Sequence, residues 1–192
     1  MILSLKKVVA LGIVVLLSSV AVVWGLKTLT AREVIGPVEA ETTYRSTYGS
    51  IKLTAILDKS TYRRGESVNV TVRITNIDNK TIVLIFPSPL KVDFEVYNES
   101  LQLIHNGFST THGTATVLTS VTLEPGESLS QTFTWDQQKM KIVNGYYSGL
   151  EPVGPGTYYI FGRAPPGGYM WTSSLELYTR IETPKIEIAI IP

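Results

Sequence analysis

From residue 51 onward the chain is a succession of short apolar segments separated by turn signals, which leaves it little choice but β-structure. The clearest segment runs over residues 68–75. There Val68, Val70, Val72 and Ile74 alternate with Asn69, Thr71, Arg73 and Thr75. A period of two puts one set on each face of a strand, and the apolar set needs a second layer to cover it. Residues 51–57 form the strand before it, and the stretch Tyr62-Arg63-Arg64-Gly65-Glu66 is a turn. After the turn at 76–79, residues 81–86 are almost wholly apolar, as in a strand that is central or covered on both faces. Pro87 and Pro89 end it. Val92, Phe94 and Val96 alternate with Lys91, Asp93 and Glu95, whose charges read as a solvated face.

The second half repeats the theme. Residues 117–123 lead through Glu124-Pro125-Gly126-Glu127 into a strand whose Leu129, Phe133 and Trp135 share one face. A mixed stretch covers 137–153. Strands follow at 157–163, 175–181 and 185–191, with the loop Pro165-Pro166-Gly167-Gly168-Tyr169-Met170-Trp171 between the first two. Roughly nine strands in one domain of ordinary size predict an all-β, antiparallel β-sandwich over residues 51–192. No segment of this domain carries a helical period.

Ahead of the domain stands an uncharged apolar run, residues 8–26, opening on Val8 and closing on Leu26, with Lys6 and Lys7 before it and Lys27 after. As a helix it is about 28 Å long, close to the roughly 30 Å hydrocarbon core of a bilayer. The bulky end Val22-Val23-Trp24-Gly25-Leu26 lacks the small residues that signal cleavage requires, and Trp24 suits the membrane interface. Residues 1–26 are therefore read as a single transmembrane signal-anchor, with a cleaved signal peptide and a secreted product as the alternative. Residues 27–49, with Gly36-Pro37 and no apolar period, are read as a linker. Three Asn-x-Ser/Thr sequons, at Asn69, Asn79 and Asn98, favour an extracytoplasmic domain and are candidate glycosylation sites.

The absence of cysteine removes disulfide frameworks, thiol nucleophiles and zinc–thiolate sites. Two of the 17 basic residues precede the run, so 15 stand against all 16 acidic residues in the remainder, and no basic stripe supports nucleic-acid binding.

Three groups of residues share an order found elsewhere. The first is the Asn-containing turn followed by Ile82-Val83-Leu84-Ile85-Phe86-Pro87-Ser88 and Val92-Asp93-Phe94-Glu95-Val96. The second is Leu123-Glu124-Pro125-Gly126-Glu127-Ser128 with Phe133-Thr134-Trp135-Asp136. The third is Gly154-Pro155-Gly156-Thr157-Tyr158 with Gly162. Together they resemble the BsuPI-type intracellular proteinase inhibitor domain over residues 51–164. The resemblance implies an immunoglobulin-like sandwich and an inhibitory function. Members often carry a Trp after the turn that follows the Asp-Phe element, whereas this chain has Leu101-Gln102-Leu103-Ile104-His105.

Catalytic constellations are not evident. No Gly-x-Ser-x-Gly elbow occurs, and the chain is read as non-enzymatic and free of cofactors. His105 and His112 bracket a polar loop, with no recognised metal-ligand spacing to Asp93 or Asp136, so no metal site is expected. Binding surfaces are better candidates. Tyr169, Met170 and Trp171 follow two prolines and two glycines, and Tyr146 and Tyr147 stand at a turn; exposed aromatics of this kind anchor interfaces. The final strand is a further template for strand addition if it lies at an edge. The leading expectation is a membrane-tethered module that binds a protein or a cell-envelope component. The alternatives are a proteinase inhibitor and a structural subunit of a surface filament or coat.

Overall fold

The computed structural model describes residues 36–46, 49–86, 89–107, 118–143, 146–164, 171–172 and 181–192. All belong to one compact unit, Val34–Pro192, and the apolar run 8–26 lies outside the described residues. Among the described residues no helix is long and apolar enough to cross a membrane. In chain order the strands are β1 (Val38–Ser46), β2 (Gly49–Leu57), β3 (Thr61–Arg63), β4 (Val68–Asn76), β5 (Ile82–Phe86), β6 (Asp93–Asn98), β7 (Leu103–Asn106) and β8 (Thr119–Leu123). They continue with β9 (Ser128–Trp135), β10 (Gln138–Val143), β11 (Tyr146–Pro152), β12 (Gly156–Ala164), β13 (Trp171–Thr172), β14 (Ile181–Glu182) and β15 (Ile186–Ile191).

Two sheets face each other. One has the antiparallel order β1-β2-β4-β9. The other has the order β3-β15-β12-β6-β7, with β14 also pairing with β12. Among the described residues all ladders are antiparallel except β15 with β3, which is parallel from Ala189 opposite Thr61 to Ile191 opposite Arg63. A three-stranded sheet, β13-β5-β8, and the hairpin β10-β11 complete the fold. The alternation of β4 is realised in full: Val68, Val70, Val72 and Ile74 are buried, while Asn69 and Arg73 face solvent. The buried side of β4 meets β12 of the opposite sheet at Gly162. A Cβ there would stand 2.9 Å from the Ala55 Cβ and 3.3 Å from Val72 Cγ1, so the layers approach closely only because the side chain is missing.

Two buried amides fasten the turns. Asn76 is fully buried; its Nδ2 donates to the carbonyls of Lys80 and Leu123, and its Oδ1 accepts from the Asp78 N–H. The Asn76 backbone also bonds Gly126 and Glu127. One residue thus holds two turns together. The second of them, Glu124 to Glu127, has Pro125 followed by Gly126 at a φ of 80° and is closed by the Glu127 N–H on the Glu124 carbonyl, as a type II turn requires. At another turn Gln137 does the same work. Its Nε2 donates to the Arg63 and Glu66 carbonyls, and its Oε1 accepts from the Gly65 N–H. All of its amide partners lie some seventy residues away in the chain.

Several sequence expectations are corrected. The linker reading of 27–49 fails over Val38–Ser46, which forms the edge strand β1, paired along its length with β2. Its inward Val38, Ala40 and Tyr44 pack on the core, and Glu41 reaches Lys52 at 3.1 Å. The mixed stretch 137–153 is a hairpin, β10-β11, with a bulge between Met140 and Ile142. Residues 82–86 are, by contrast, as expected: they form the central strand of their sheet, with Val83 and Ile85 half-buried on one face.

The charges of β6 are not solvated: Asp93 and Glu95 are buried, because β6 lies between β12 and β7 and both of its faces are covered. Glu95 meets the equally buried Arg163 at 2.8 Å, with the Tyr97 hydroxyl bonded to both and Glu182 at 3.3 Å from the guanidinium. Of the strand expected at 175–181, only its last residue is described, as the start of β14.

Candidate binding cavity

A cavity of about 250 Å³ opens beside the end of β9. Phe133, Thr134 and Trp135 bring the edge of the first sheet to it, and Phe94, His105 and Gly107 come from β6 and the end of β7. Asp136, Gln138 and Leu150 form the remaining wall, the last two from the β10-β11 hairpin. Its deep side is aromatic. Phe94 and Trp135 are completely buried, Phe133 is half-buried, and the ring centroids of Phe94 and Phe133 are 5.5 Å apart. Leu150 and Asp136 are exposed at the mouth, where the Ser67 hydroxyl donates to Asp136 at 2.8 Å.

His105 is the polar element of this aromatic wall. Only 6% of its surface is exposed, and its ring lies 5.5 Å from Phe94 and 6.2 Å from Trp135, centroid to centroid. Burial pushes the imidazole down to about 4, against the opposing pull of a hydrogen bond to the Gln138 backbone and of the Asp136 charge. The ring is therefore neutral at pH 7. Its Nδ1 is buried and has no hydrogen-bond partner. The Gln138 carbonyl also accepts the Trp135 Nε1–H at 2.7 Å, which fixes the indole. Across Trp135 the Tyr158 ring packs edge-on at 5.8 Å, and burial raises the pKa of its phenol.

The residues singled out from sequence are scattered relative to this cavity. Asn69 is exposed on β4, where its Oδ1 accepts from the Thr134 hydroxyl at 3.1 Å. Asn79 is exposed in a turn. Asn98 closes the β6-β7 turn: its Oδ1 accepts from the Gln102 N–H and its Nδ2 donates to Gln102 Oε1. The backbones of Tyr146 and Tyr147 start β11, opposite Val143 and Ile142. Trp171 pairs by its backbone with Ile85, while Tyr169 and Met170 lie outside the described residues.

His105 is a buried residue of β7 and not an exposed residue beside the polar loop; His112 lies outside the described residues. Among the described residues no group of three or more potential ligands converges on a metal position. The cavity residues come from five strands and the turn after β9, with no sequence spacing to announce them. The shared face of Phe133 and Trp135 is the one signal in the sequence, and it marks a strand face without marking a cavity.

Comparison with known proteins bears on the segments that build this wall. No curated protein matches the chain. Among solved structures, a β-glucosidase from Listeria innocua in complex with glucose aligns over 80% of this chain and 16% of its own, at 14% identity and a TM-score of 0.37. The chain thus spans about a sixth of that enzyme. The CARDB domain of a Pyrococcus furiosus protein in complex with di-metal ions aligns over 81% and 94% at 13% identity and a TM-score of 0.33. The C-terminal domain of wzt aligns over 85% and 80% at 8% identity and a TM-score of 0.39. At these scores the structural likenesses carry no argument.

The sequence profile of BsuPI, the intracellular proteinase inhibitor, matches residues 55–162, more than half of the chain. That span begins in β2, ends at Gly162, and contains the three groups of residues that resemble the family, Phe94, Phe133 and Trp135 among them. The chain belongs to the BsuPI family of intracellular proteinase inhibitors.

Proposed function

We propose that the protein is a non-catalytic proteinase inhibitor, a β-sandwich that engages a protein partner and is held at a membrane by residues 8–26. The observation that carries this reading is the family match over residues 55–162. The way the loops are mounted supports it. Ala164, at the end of β12, is paired with Ile181, and Trp171 is paired with Ile85, so both sequence flanks of residues 165–170 lie in strand ladders. A binding segment with anchored flanks loses less freedom on docking than a free one. Tyr169, Met170 and Trp171 are the proposed anchors. The tether rests on the length and apolarity of the run 8–26.

The full chain in detergent, assayed against a panel of serine and cysteine proteases, tests the inhibitory reading. Dose-dependent inhibition is expected, weakened about tenfold or more by replacing Tyr169, Met170 and Trp171 together with Ala. No inhibition of any protease at micromolar chain would overturn it. Release of the chain from membranes by alkaline carbonate would overturn the tether alone.

A further inference from the structure

The outermost strands of a sheet carry free N–H and C=O groups that invite another strand. In the two main sheets, β3 has only three residues and β7 four, and β9 is tied at its end to the β10-β11 hairpin by Trp135 Nε1 on the Gln138 carbonyl. β1 is longer and less guarded. Among the described residues its one ladder is with β2, unbroken by a bulge over nine residues. Those residues include no proline and no lysine, and the inward Val38, Ala40, Thr42 and Tyr44 carry no charge. The usual protections of an edge are missing.

The direction of the free groups follows from the ladder. The Ser50 carbonyl accepts from the Ile77 N–H on the β4 side, so by alternation Ile51, Leu53, Ala55 and Leu57 turn their backbone groups to β1. They meet Tyr44, Thr42, Ala40 and Val38 there, which leaves the N–H and C=O groups of Glu39, Glu41, Thr43 and Arg45 pointing outward. These four residues also have exposed side chains.

The edge is complementary to itself. A second β1 running antiparallel can meet those outward groups only in registers that differ by steps of two residues. The register centred on Thr42 pairs all nine residues of each strand. It sets Glu39 opposite Arg45 twice, once on each side of the two-fold axis, and the small Ala40 beside the large Tyr44 on the inward face. Among the described residues neither Glu39 nor Arg45 is in an ion pair. Glu41 falls opposite Thr43 and keeps its bridge to Lys52. Sliding the partner one step in one direction puts Glu41 against Glu41; one step in the other leaves residues 38 and 39 beyond the partner's strand.

We propose that β1 pairs antiparallel with β1 of a second copy of this chain, in the register centred on Thr42, so that the two sheets β1-β2-β4-β9 become one continuous sheet. The half-buried Val38, Ala40 and Tyr44 gain cover from their counterparts. Both free edges are used up, so assembly stops at a closed dimer. The pairing goes beyond the inhibitor reading and does not depend on it.

Sedimentation equilibrium of the full chain in density-matched detergent reads the association. A monomer–dimer equilibrium is expected at or below roughly 100 μM chain. Arg45→Glu sets like charges opposite each other at two places and is expected to weaken the dimer about tenfold or more; Glu39→Arg does the same, and the double swap restores it. Both residues are exposed, so the fold tolerates the changes. A dimer that the single changes leave untouched, as one formed by residues 8–26 would be, overturns the proposal. So does a chain that stays monomeric at that concentration, or one that assembles beyond a dimer.

The register has its own test, because the chain has no cysteine. Thr42→Cys introduces a lone thiol at the two-fold axis, where a non-hydrogen-bonded pair holds the Cα atoms about 4.5 Å apart, within reach of a disulfide. Val38→Cys stands about 27 Å from its counterpart in the same register. Diamide oxidation is expected to cross-link the first variant into a dimer and to leave the second uncross-linked. Cross-linking of both alike, or of neither, would overturn the register.

Discussion

A histidine buried against two aromatic rings ties stability to pH in a way that a loop histidine does not. The folded-state imidazole of His105 sits near 4 and its unfolded value near 6.5, so between these limits the unfolded chain binds more protons. Stability is therefore fully present above about pH 6.5 and falls as the pH drops toward 4, by about 3 kcal/mol from this residue. Urea unfolding at pH 7 and pH 4.5 should show the loss in the wild-type chain and a smaller one in His105→Phe. Leu101 shows the opposite kind of strain. It holds a φ of 57° in an exposed turn, a conformation that a Cβ disfavours. Leu101→Gly should raise the stability by about 0.5 kcal/mol or more, read from the denaturant midpoint. Neither residue was legible in the sequence. His105 stands next to polar loop residues, and its burial comes from Phe94 and Trp135, which are distant or unremarkable in the chain. Leu101 looks like the start of an apolar strand.

At the level of single elements, the alternating strand β4 and the Pro-Gly turn at 124–127 were legible because their cause is local: a period of two, and a φ that only certain residues tolerate. Strand β1 was not legible. Its inward positions, Val38, Ala40, Thr42 and Tyr44, include a small and a polar residue, which blurs the alternation, and the strand forms because β2 offers it a ladder. A chain that starts at residue 49 loses that ladder and leaves β2 as an open edge. Its melting temperature should fall by about 10 °C or more relative to a chain that starts at residue 34, with a rise in aggregation on heating. Scanning calorimetry and light scattering on the two chains check this. The buried charges of β6 were missed for a similar reason. Alternation shows that two faces differ, whereas what covers the second face is set by neighbours on either side of the strand, here with Arg163 on one of them.

For the whole molecule, the apposition of the two main sheets depends on Gly162. Gly162→Ala should cost about 1–3 kcal/mol in denaturant unfolding, since the added methyl meets Ala55 and Val72 across the interface. Gly162→Val should cost more. The sandwich class and the family were legible from strand rhythm and the ordered motifs. The cavity was not, since it is assembled from β6, β7, β9, β10 and β11 and exists only after they meet. The same non-locality governs how the fold is reached. Strand β15 lies between β12 and β3 and, among the described residues, is the only link between them in their sheet. While residues 186–191 are still inside the ribosome, β3 lacks the one ladder partner it has among the described residues, although it was synthesised more than a hundred residues earlier. The sheet therefore closes only after residues 186–191 emerge, and with contacts this distant in sequence, closure belongs to the slow, millisecond-to-second regime of high-contact-order β-proteins.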